Sequence, residues 1–337
     1  MTVRTSLAEK IRRGDPISPL TACVLRAATP LFRFGMWRRL RQKRVRVDAR
    51  TISFGNITAG GTGKTPAVIE RARQEIDEGN RVAVLTRGYG TPSTKRPIAS
   101  TEVPETDYVS ELGDEPALIL AQVPDAIVIK GTDRVASAQC AIRDHECNVL
   151  IMDDGFQYVR LERDEDIVLI DAVNPFGTGA LLPRGILREP IAALTRATAI
   201  ILTRCDQALN LSSLISKIQE FTPSIPIRCT SHAPECLIRL RDGQSLPLST
   251  LRGRRVHALC GIGHPESFYR TLESLGAHLI ARHTFPDHAP IPADAIPDSG
   301  IVVTTEKDAV RMENPEAHVL ALRIALKDWE GDGSSTD

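Results

Sequence analysis

The glycine-rich run Gly60-Gly-Thr-Gly-Lys64-Thr65, set behind the β-rich stretch Thr51-Ile-Ser-Phe-Gly55, is the strongest chemical signal in the chain. Glycines let backbone N–H groups curl around an anion without Cβ clashes, and a helix starting behind them adds the positive end of its dipole. Strand, glycine loop and helix in that order bind phosphate. Thr58, Ala59, Gly60, Gly61, Thr62 and Gly63 are expected to cradle the phosphates of a nucleotide, with Lys64 reaching the β/γ-phosphates and Thr65 placing its hydroxyl on Mg²⁺. Thr58 occupies the position of the first glycine in G-x-x-x-x-G-K-[ST], so the loop is a deviant copy. A second element must hold the metal, and Asn148-Val-Leu-Ile-Met-Asp153-Asp154 reads as a buried strand ending in two carboxylates. Asp153 is the candidate metal or water ligand, although paired acids at a strand end can also cap a turn.

These residues need a rigid sheet edge. Further short β-branched runs at 81–86, 126–129, 166–171 and 199–203 predict a doubly wound parallel α/β sheet of the P-loop NTPase type. After Cys229 the pattern changes. Residues 235–247 look like a short two-stranded connection, and strand patterns at 254–261, 277–285, 300–305 and 319–326 alternate with helical stretches. The expected organisation is a basic amphipathic segment over 1–50, a P-loop domain over 51–232, a smaller α/β domain over 233–330 that completes the cleft, and a disordered tail over 331–337.

The chain has 337 residues and equal numbers of basic and acidic side chains, 42 of each, which excludes a uniformly basic nucleic-acid binder. Its seven cysteines show no C-x-x-C pair, so a disulfide framework or zinc knuckle is not expected, and a reducing cytoplasmic compartment is. The even balance conceals an asymmetry: residues 1–50 carry 13 Lys and Arg against 3 acids. Leu20, Val24, Leu25, Ala28, Leu31 and Phe32 recur as one face of a helix that Pro30 should kink, and Met36, Trp37 and Leu40 interleave with arginines. No stretch is long and apolar enough to span a bilayer. The pattern suits a helix lying in a membrane interface, with Trp37 at headgroup depth and cations on lipid phosphates; an ordinary docking helix shows the same periodicity.

Several phrases, in order, together resemble the tetraacyldisaccharide 4'-kinase (lipid A 4'-kinase) family. They are Gly55-Asn-Ile-Thr-Ala-Gly-Gly-Thr-Gly-Lys-Thr-Pro66, Thr86-Arg-Gly-Tyr-Gly90, Gly113-Asp-Glu-Pro116, Asp153-Asp-Gly-Phe-Gln157, Leu181-Leu-Pro-Arg-Gly-Ile-Leu-Arg-Glu-Pro190, Gly261-Ile-Gly-His-Pro265, Phe285-Pro-Asp-His288 and Thr305-Glu-Lys-Asp308. Thr58 in the loop is itself typical of that family. The resemblance implies transfer of the ATP γ-phosphoryl group to the 4'-hydroxyl of an acylated disaccharide 1-phosphate, forming lipid IVA. It assigns Asp114 the role of base, partnered by His288, and places Gln157, Arg188 and Glu189 around nucleotide, metal or substrate phosphate. The metal contacts are thereby shared among Thr65, Asp153, Asp154 and Glu189. Read locally, Gly113-Asp-Glu-Pro116 is equally a helix start with Asp114 as its N-cap. Tyr158 stands where the family usually has histidine, and His264 where it usually has asparagine.

Two other functions fit parts of the chain. Thr203-Arg-Cys-Asp206 after a strand is faintly like a guanine-reading phrase, which suits a P-loop GTPase or metal-insertion chaperone. A membrane-bound ATP switch would need the loop and the basic head but neither Asp114 nor His288.

Overall fold

The computed structural model describes residues 7–330 except 89–90, 93, 95, 264, 287–288, 290, 298 and 313–317. His288, His264 and the expected tail over 331–337 therefore lie outside the described residues. The strands are β1 (Arg50–Gly55), β2 (Val82–Thr86), β3 (Ile98–Ala99), β4 (Ile127–Lys130), β5 (Val149–Asp153), β6 (Glu165–Asp171), β7 (Ala199–Thr203), β8 (Ile227–Arg239), β9 (Ser245–Leu246), β10 (Arg255–Cys260), β11 (His278–Thr284), β12 (Ile301–Thr305) and β13 (Val319–Asp328). The helices are α1 (Leu7–Arg13), α2 (Pro19–Leu40), α3 (Lys64–Asp77), α4 (Tyr108–Glu111), α5 (Asp114–Gln122), α6 (Arg134–His145), α7 (Leu211–Gln219), α8 (Pro265–Ser274) and α9 (Glu306–Ala309).

The strands form one sheet in the order β11-β10-β12-β13-β8-β7-β6-β1-β5-β2-β4-β3, with β9 paired to β8. From β7 to β4 every neighbouring pair is parallel, which requires helices on the faces and buries both sides of the strands. Alternation along β6 shows this: Ile167 and Leu169 pack with Ala67, Val68 and Ala72 of α3, whereas Val168 and Ile170 pack with Leu214 and Ile218 of α7. The sheet is doubly wound, as the β-branched runs predicted. The short antiparallel edge strand β3 has too few residues to be visible in sequence.

Strand β8 joins the two halves. Its first residues pair in parallel with β7, Ile200↔Ile227 through Leu202↔Cys229, and the rest pair antiparallel with β13, from Thr230↔Asp328 to Arg239↔Leu320. The predicted two-stranded connection is present as the β8–β9 hairpin, with Leu237↔Leu246 and Ile238↔Ser245, but it is the tip of a 13-residue strand. Beyond it, β10, β12 and β13 bury Val256, Ala258, Val303 and Leu322 against Phe268, Tyr269 and Leu272 of α8.

Helix α2 runs unbroken through Pro30 and has no buried residue. The single apolar face expected from the spacing divides into two stripes. Leu25, Ala28, Phe32 and Met36 are half-buried, while Leu20, Val24, Leu31, Phe34 and Trp37 are exposed, Leu20 and Leu31 by 77 % and 76 %. Both stripes contain residues from the same periodic run, because offsets of 4 and 5 lie on opposite shoulders of a helix face. Among the described residues no helix is long and apolar enough to cross a membrane.

At the end of β1, a Cβ on Gly55 would sit 2.5 Å from the Phe156 Cβ and 2.6 Å from the Phe156 backbone nitrogen. A backbone atom cannot swing aside as a side-chain tip does. Gly55→Ala is therefore expected to lower stability by about 1–3 kcal/mol, read from urea unfolding; an unchanged midpoint would show that the turn after β5 yields freely.

Candidate active site

The phosphate loop leaves the carboxyl end of β1 and is stapled from several sides. Asn56 donates from Nδ2 to the Gly60 carbonyl at 3.3 Å and to Thr62 Oγ1 at 3.2 Å. Ala59 N–H donates to the Ile186 carbonyl and Arg188 N–H to the Ile57 carbonyl, both at 2.7 Å, around an antiparallel bridge between Thr58 and Leu187. Thr58 is buried in this bridge, where a β-branched residue fits extended backbone better than glycine does. The departure from the usual glycine thus has a local cause: the loop is zipped to the segment that carries Arg188 and Glu189. Gly63 adopts φ +80° and caps α3 with no side-chain hydrogen bond, so the amides of the first turn stay available to an anion.

Two carboxylates lie beside that helix start. Asp153, at the end of β5 next to Phe54 of β1, is 3 % exposed and its Oδ1 has no hydrogen-bond partner. Burial pushes its carboxyl well up, and Glu115 and Asp154 add to the shift against the pull of Lys64 and Arg134. Asp154, at φ +54°, turns the other way. Lys64 Nζ lies 3.5 Å from its Oδ1, and Arg188 Nη1 donates to both its oxygens at 2.8 Å. Burial would raise the Asp154 carboxyl, but Lys64 and Arg188 outweigh it and hold it below the ordinary carboxylate range.

The contacts continue without a break. Arg188 Nη1 donates to Gln157 Oε1 at 3.3 Å, and Gln157 Nε2 donates to the Asn56 carbonyl at 2.9 Å and to Glu189 Oε1 at 3.2 Å. Glu189 is fully buried, and Arg196 pairs with both its oxygens at 2.9 Å. The structure therefore sets Glu189 as an anchor for Gln157 and Arg196, one contact removed from Asp154. Tyr158, in the place where histidine is usual, donates to Asp133 Oδ1 at 2.8 Å and so reaches the N-cap of α6.

Lys64, Thr65, Glu115, His232, Thr305 and Leu326 line a cleft of about 860 Å³ between α3, α5 and the β8–β13 half of the sheet. Asp114 opens α5 beside it. The N-cap is Gly113, at φ +112°, and Asp114 is the first helical residue, which corrects the expectation of Asp114 as cap. A left-handed backbone at that position favours glycine, and Asp114 is left with its carboxylate at the helix start. Asp114 Oδ2 lies 3.4 Å from Arg311 Nη1. His288 lies outside the described residues.

Sequence reasoning passed over three side chains here. Arg134 is 4 % exposed, its charge acts on Asp153 and Asp154, and burial brings it down to about 10. His232 of β8 has an Nε2 without partner, 2.5 Å from where a Gly63 Cβ would be, and burial lowers its pKa. Arg311 follows the Thr305-Glu-Lys-Asp308 phrase by three residues, the one signal that pointed near it. The phrase Thr203-Arg-Cys-Asp206 has a structural occupation instead: Thr203 Oγ1 donates to the Thr62 carbonyl at 3.1 Å, and Arg204 pairs with Asp171.

A doubly wound parallel sheet, a phosphate loop opening a helix and an acidic strand end beside it define a P-loop phosphate-binding protein. Comparison narrows the class. Residues 16–332 match the tetraacyldisaccharide-1-P 4'-kinase family, LpxK. A tetraacyldisaccharide 4'-kinase of Anaeromyxobacter dehalogenans (strain 2CP-C) is 42 % identical over 279 residues, covering 80 % of this chain and 74 % of the relative. One from Anaeromyxobacter sp. (strain Fw109-5) is 39 % identical over 344 residues, covering 95 % and 92 %. The crystal structure of LpxK from Aquifex aeolicus in complex with ATP superposes with a TM-score of 0.70 at 28 % identity, over 92 % of each chain. The chain belongs to the tetraacyldisaccharide-1-P 4'-kinase family.

Proposed function

We propose that the protein transfers the γ-phosphoryl group of ATP to the 4'-hydroxyl of a tetraacyldisaccharide 1-phosphate, forming lipid IVA in lipid A biosynthesis. The observation that carries this reading is the unbroken line Lys64–Asp154–Arg188–Gln157–Glu189 at the carboxyl edge of a P-loop sheet, in a member of this kinase family. The glycine amides and Lys64 hold the β/γ-phosphates, and Arg188, whose planar fork matches phosphate, turns from Asp154 to the transferred group. Asp114 orients the sugar hydroxyl and takes its proton, with His288 as its partner. Positioning and charge placement contribute more to such a transfer than proton removal does.

Mg²⁺ fits the residues present. Asp153 offers a buried oxygen without a partner, Thr65 lies in the first turn of α3 at the cleft, and Asp154 is the further candidate once Lys64 and Arg188 turn to phosphate. Among the described residues no three His, Cys, Asp or Glu side chains cluster to hold a metal, which suits an ion that takes one or two carboxylates and completes its shell with water and phosphate. When bound, Mg²⁺ supplies charge neutralisation to the β/γ-phosphates. The buried Glu189 supports the set through Gln157 and is the fourth candidate contact: Arg196 pairs with both its oxygens, and Glu189 Oε2 has no hydrogen-bond partner.

Transfer of ³²P from γ-labelled ATP to tetraacyldisaccharide 1-phosphate in detergent with Mg²⁺ tests the reading. Labelled lipid that disappears when Mg²⁺ is chelated is expected. Hydrolysis of ATP or GTP without labelled lipid would reject the kinase reading in favour of a switch.

The acceptor is a lipid, and the exposed stripe of α2 gives the protein a means of reaching it. Trp37 stacks with Phe34 at 5.8 Å and carries Arg41 over its ring at 4.1 Å, an apolar and cationic end suited to the cytoplasmic face of the inner membrane. Deleting residues 1–46 is expected to reduce sedimentation with anionic vesicles by about tenfold or more at low salt, since each juxtamembrane cation contributes about 1 kcal/mol. Equal sedimentation of the truncated protein would remove α2 from the proposal.

A further inference from the structure

Asp114 belongs to the P-loop half of the sheet, yet the cation beside it comes from the other half. Arg311 follows α9, is 5 % exposed, and lies between two carboxylates: Asp114, 3.4 Å away, and Asp308, with which it forms a tight ion pair. Asp308 is completely buried. Its Oδ2 accepts from the Gly261 N–H at 3.0 Å and from Thr305 Oγ1 at 2.7 Å, so this carboxylate is held in place before Arg311 is counted. A buried ion pair is tolerated best when its remaining polar atoms are satisfied. The Asp308 carboxylate is satisfied by a rigid strand end, whereas Arg311 Nε and Nη1 have no hydrogen-bond partner among the described residues, so Nη1 faces Asp114 as an ion pair alone. Arg311 in turn approaches the Gly261 carbonyl at 3.5 Å.

Gly261 also meets the segment that leads to His288. A Cβ there would lie 3.1 Å from the Pro286 carbonyl oxygen and 3.2 Å from Asp308 Oδ1, and Phe285 N–H donates to the Cys260 carbonyl at 2.8 Å. The phrases Gly261-Ile-Gly and Thr305-Glu-Lys-Asp308 therefore meet at one ion pair, and Phe285-Pro286 packs on the Cys260–Gly261 end of it. The far end of α5 is tied to the same half, because Gln122 donates to Glu306 at 2.7 Å and Glu306 accepts from Arg323 at 2.8 Å.

We propose that Arg311 is a positioning residue for the phosphoryl transfer: held by the buried Asp308, it fixes where the Asp114 carboxylate stands relative to the second half of the sheet. The inference rests on the reading of Asp114 as the base. Arg311 touches neither nucleotide nor acceptor in this account and acts through Asp114 alone.

A double-mutant cycle on the full-length protein tests it, with kcat and the KM for ATP measured for wild type, Arg311→Gln, Asp114→Ala and the double variant. The expected result is a fall in kcat of about 10–100-fold for Arg311→Gln with the KM for ATP within about threefold of wild type. Once Asp114 is gone, removing Arg311 is expected to cost less than about twofold more. Multiplicative losses in the double variant, or a parallel rise in the KM for ATP, would overturn the proposal by showing that Arg311 acts elsewhere. A wild-type rate for Arg311→Gln beside a crippled Asp114→Ala would overturn it while leaving the base reading intact, whereas a wild-type rate for Asp114→Ala would remove the base reading itself. If Arg311→Gln does not fold, Arg311→Lys serves in the same cycle, because it keeps the charge but lacks the fork that spans two carboxylates; the same loss of kcat supports the proposal and full activity overturns it.

Discussion

Replacing Asp114 by alanine is expected to lower kcat for lipid phosphorylation by about 10²–10⁴-fold, the range for loss of a positioned general base. The lower half of that range is favoured by chemistry, since a loose phosphoryl-transfer transition state gains little from early proton removal. Asp114 begins α5 and makes its cross-sheet contact with Arg311, while the phosphate loop is stapled separately by Asn56 and Leu187. Affinity for ATP, measured with a fluorescent nucleotide in the absence of lipid, is therefore expected to stay within about twofold of wild type. A matching loss of nucleotide affinity would move Asp114 from the acceptor side of the cleft to the nucleotide side.

Lys64→Ala has the opposite signature. Lys64 is 13 % exposed at the start of α3 and already faces a carboxylate, Asp154, at 3.5 Å. Its removal takes away a desolvated cation aimed at developing negative charge, and kcat/KM is expected to drop by about 10²–10³-fold. Asp154 would keep Arg188 as its countercharge, at 2.8 Å, so the fold should persist and the thermal midpoint should barely change. Arg is not expected to substitute for Lys64, because a bulky planar guanidinium does not replace a compact point charge at a phosphate. Activity retained in Lys64→Ala would mean that the glycine amides alone carry the phosphates.

Much of the candidate site is legible in the sequence. Gly60 to Thr65 and Asp153 declare themselves because phosphate binding demands particular residue types at particular spacing, and the buried parallel strands show as β-branched runs. The role of Arg311 could not be read that way. Its partners Asp114 and Asp308 sit on opposite halves of the sheet, and an ion pair between residues almost two hundred positions apart leaves no local pattern. Strand β8 is hard to read from sequence for a different reason. Ser231-His-Ala-Pro-Glu235 is polar and contains a proline, which argues against a strand interior. The ladder to β13 overrides that preference by shifting register between Arg323 and Ile324, so that Cys236 and Pro234 are paired and Glu235 is passed over. In α2 the periodicity was legible but the side facing solvent was not, since nothing in the run distinguishes the half-buried stripe from the exposed one.

The continuity of β8 matters to anyone who wishes to divide this protein. A boundary placed near residue 233, where composition changes, falls inside a strand that is bonded to β7 at one end and to β13 along the other. A fragment ending there would carry the first part of the strand and its complement the rest, leaving Thr230–His232 of β8 and Leu326–Asp328 of β13 without their partners. Such open edges invite pairing with other chains, so separately expressed halves should be prone to aggregate. A permuted chain opened at an exposed turn such as Arg241–Gly243 leaves that ladder whole and is the safer way to re-engineer the enzyme.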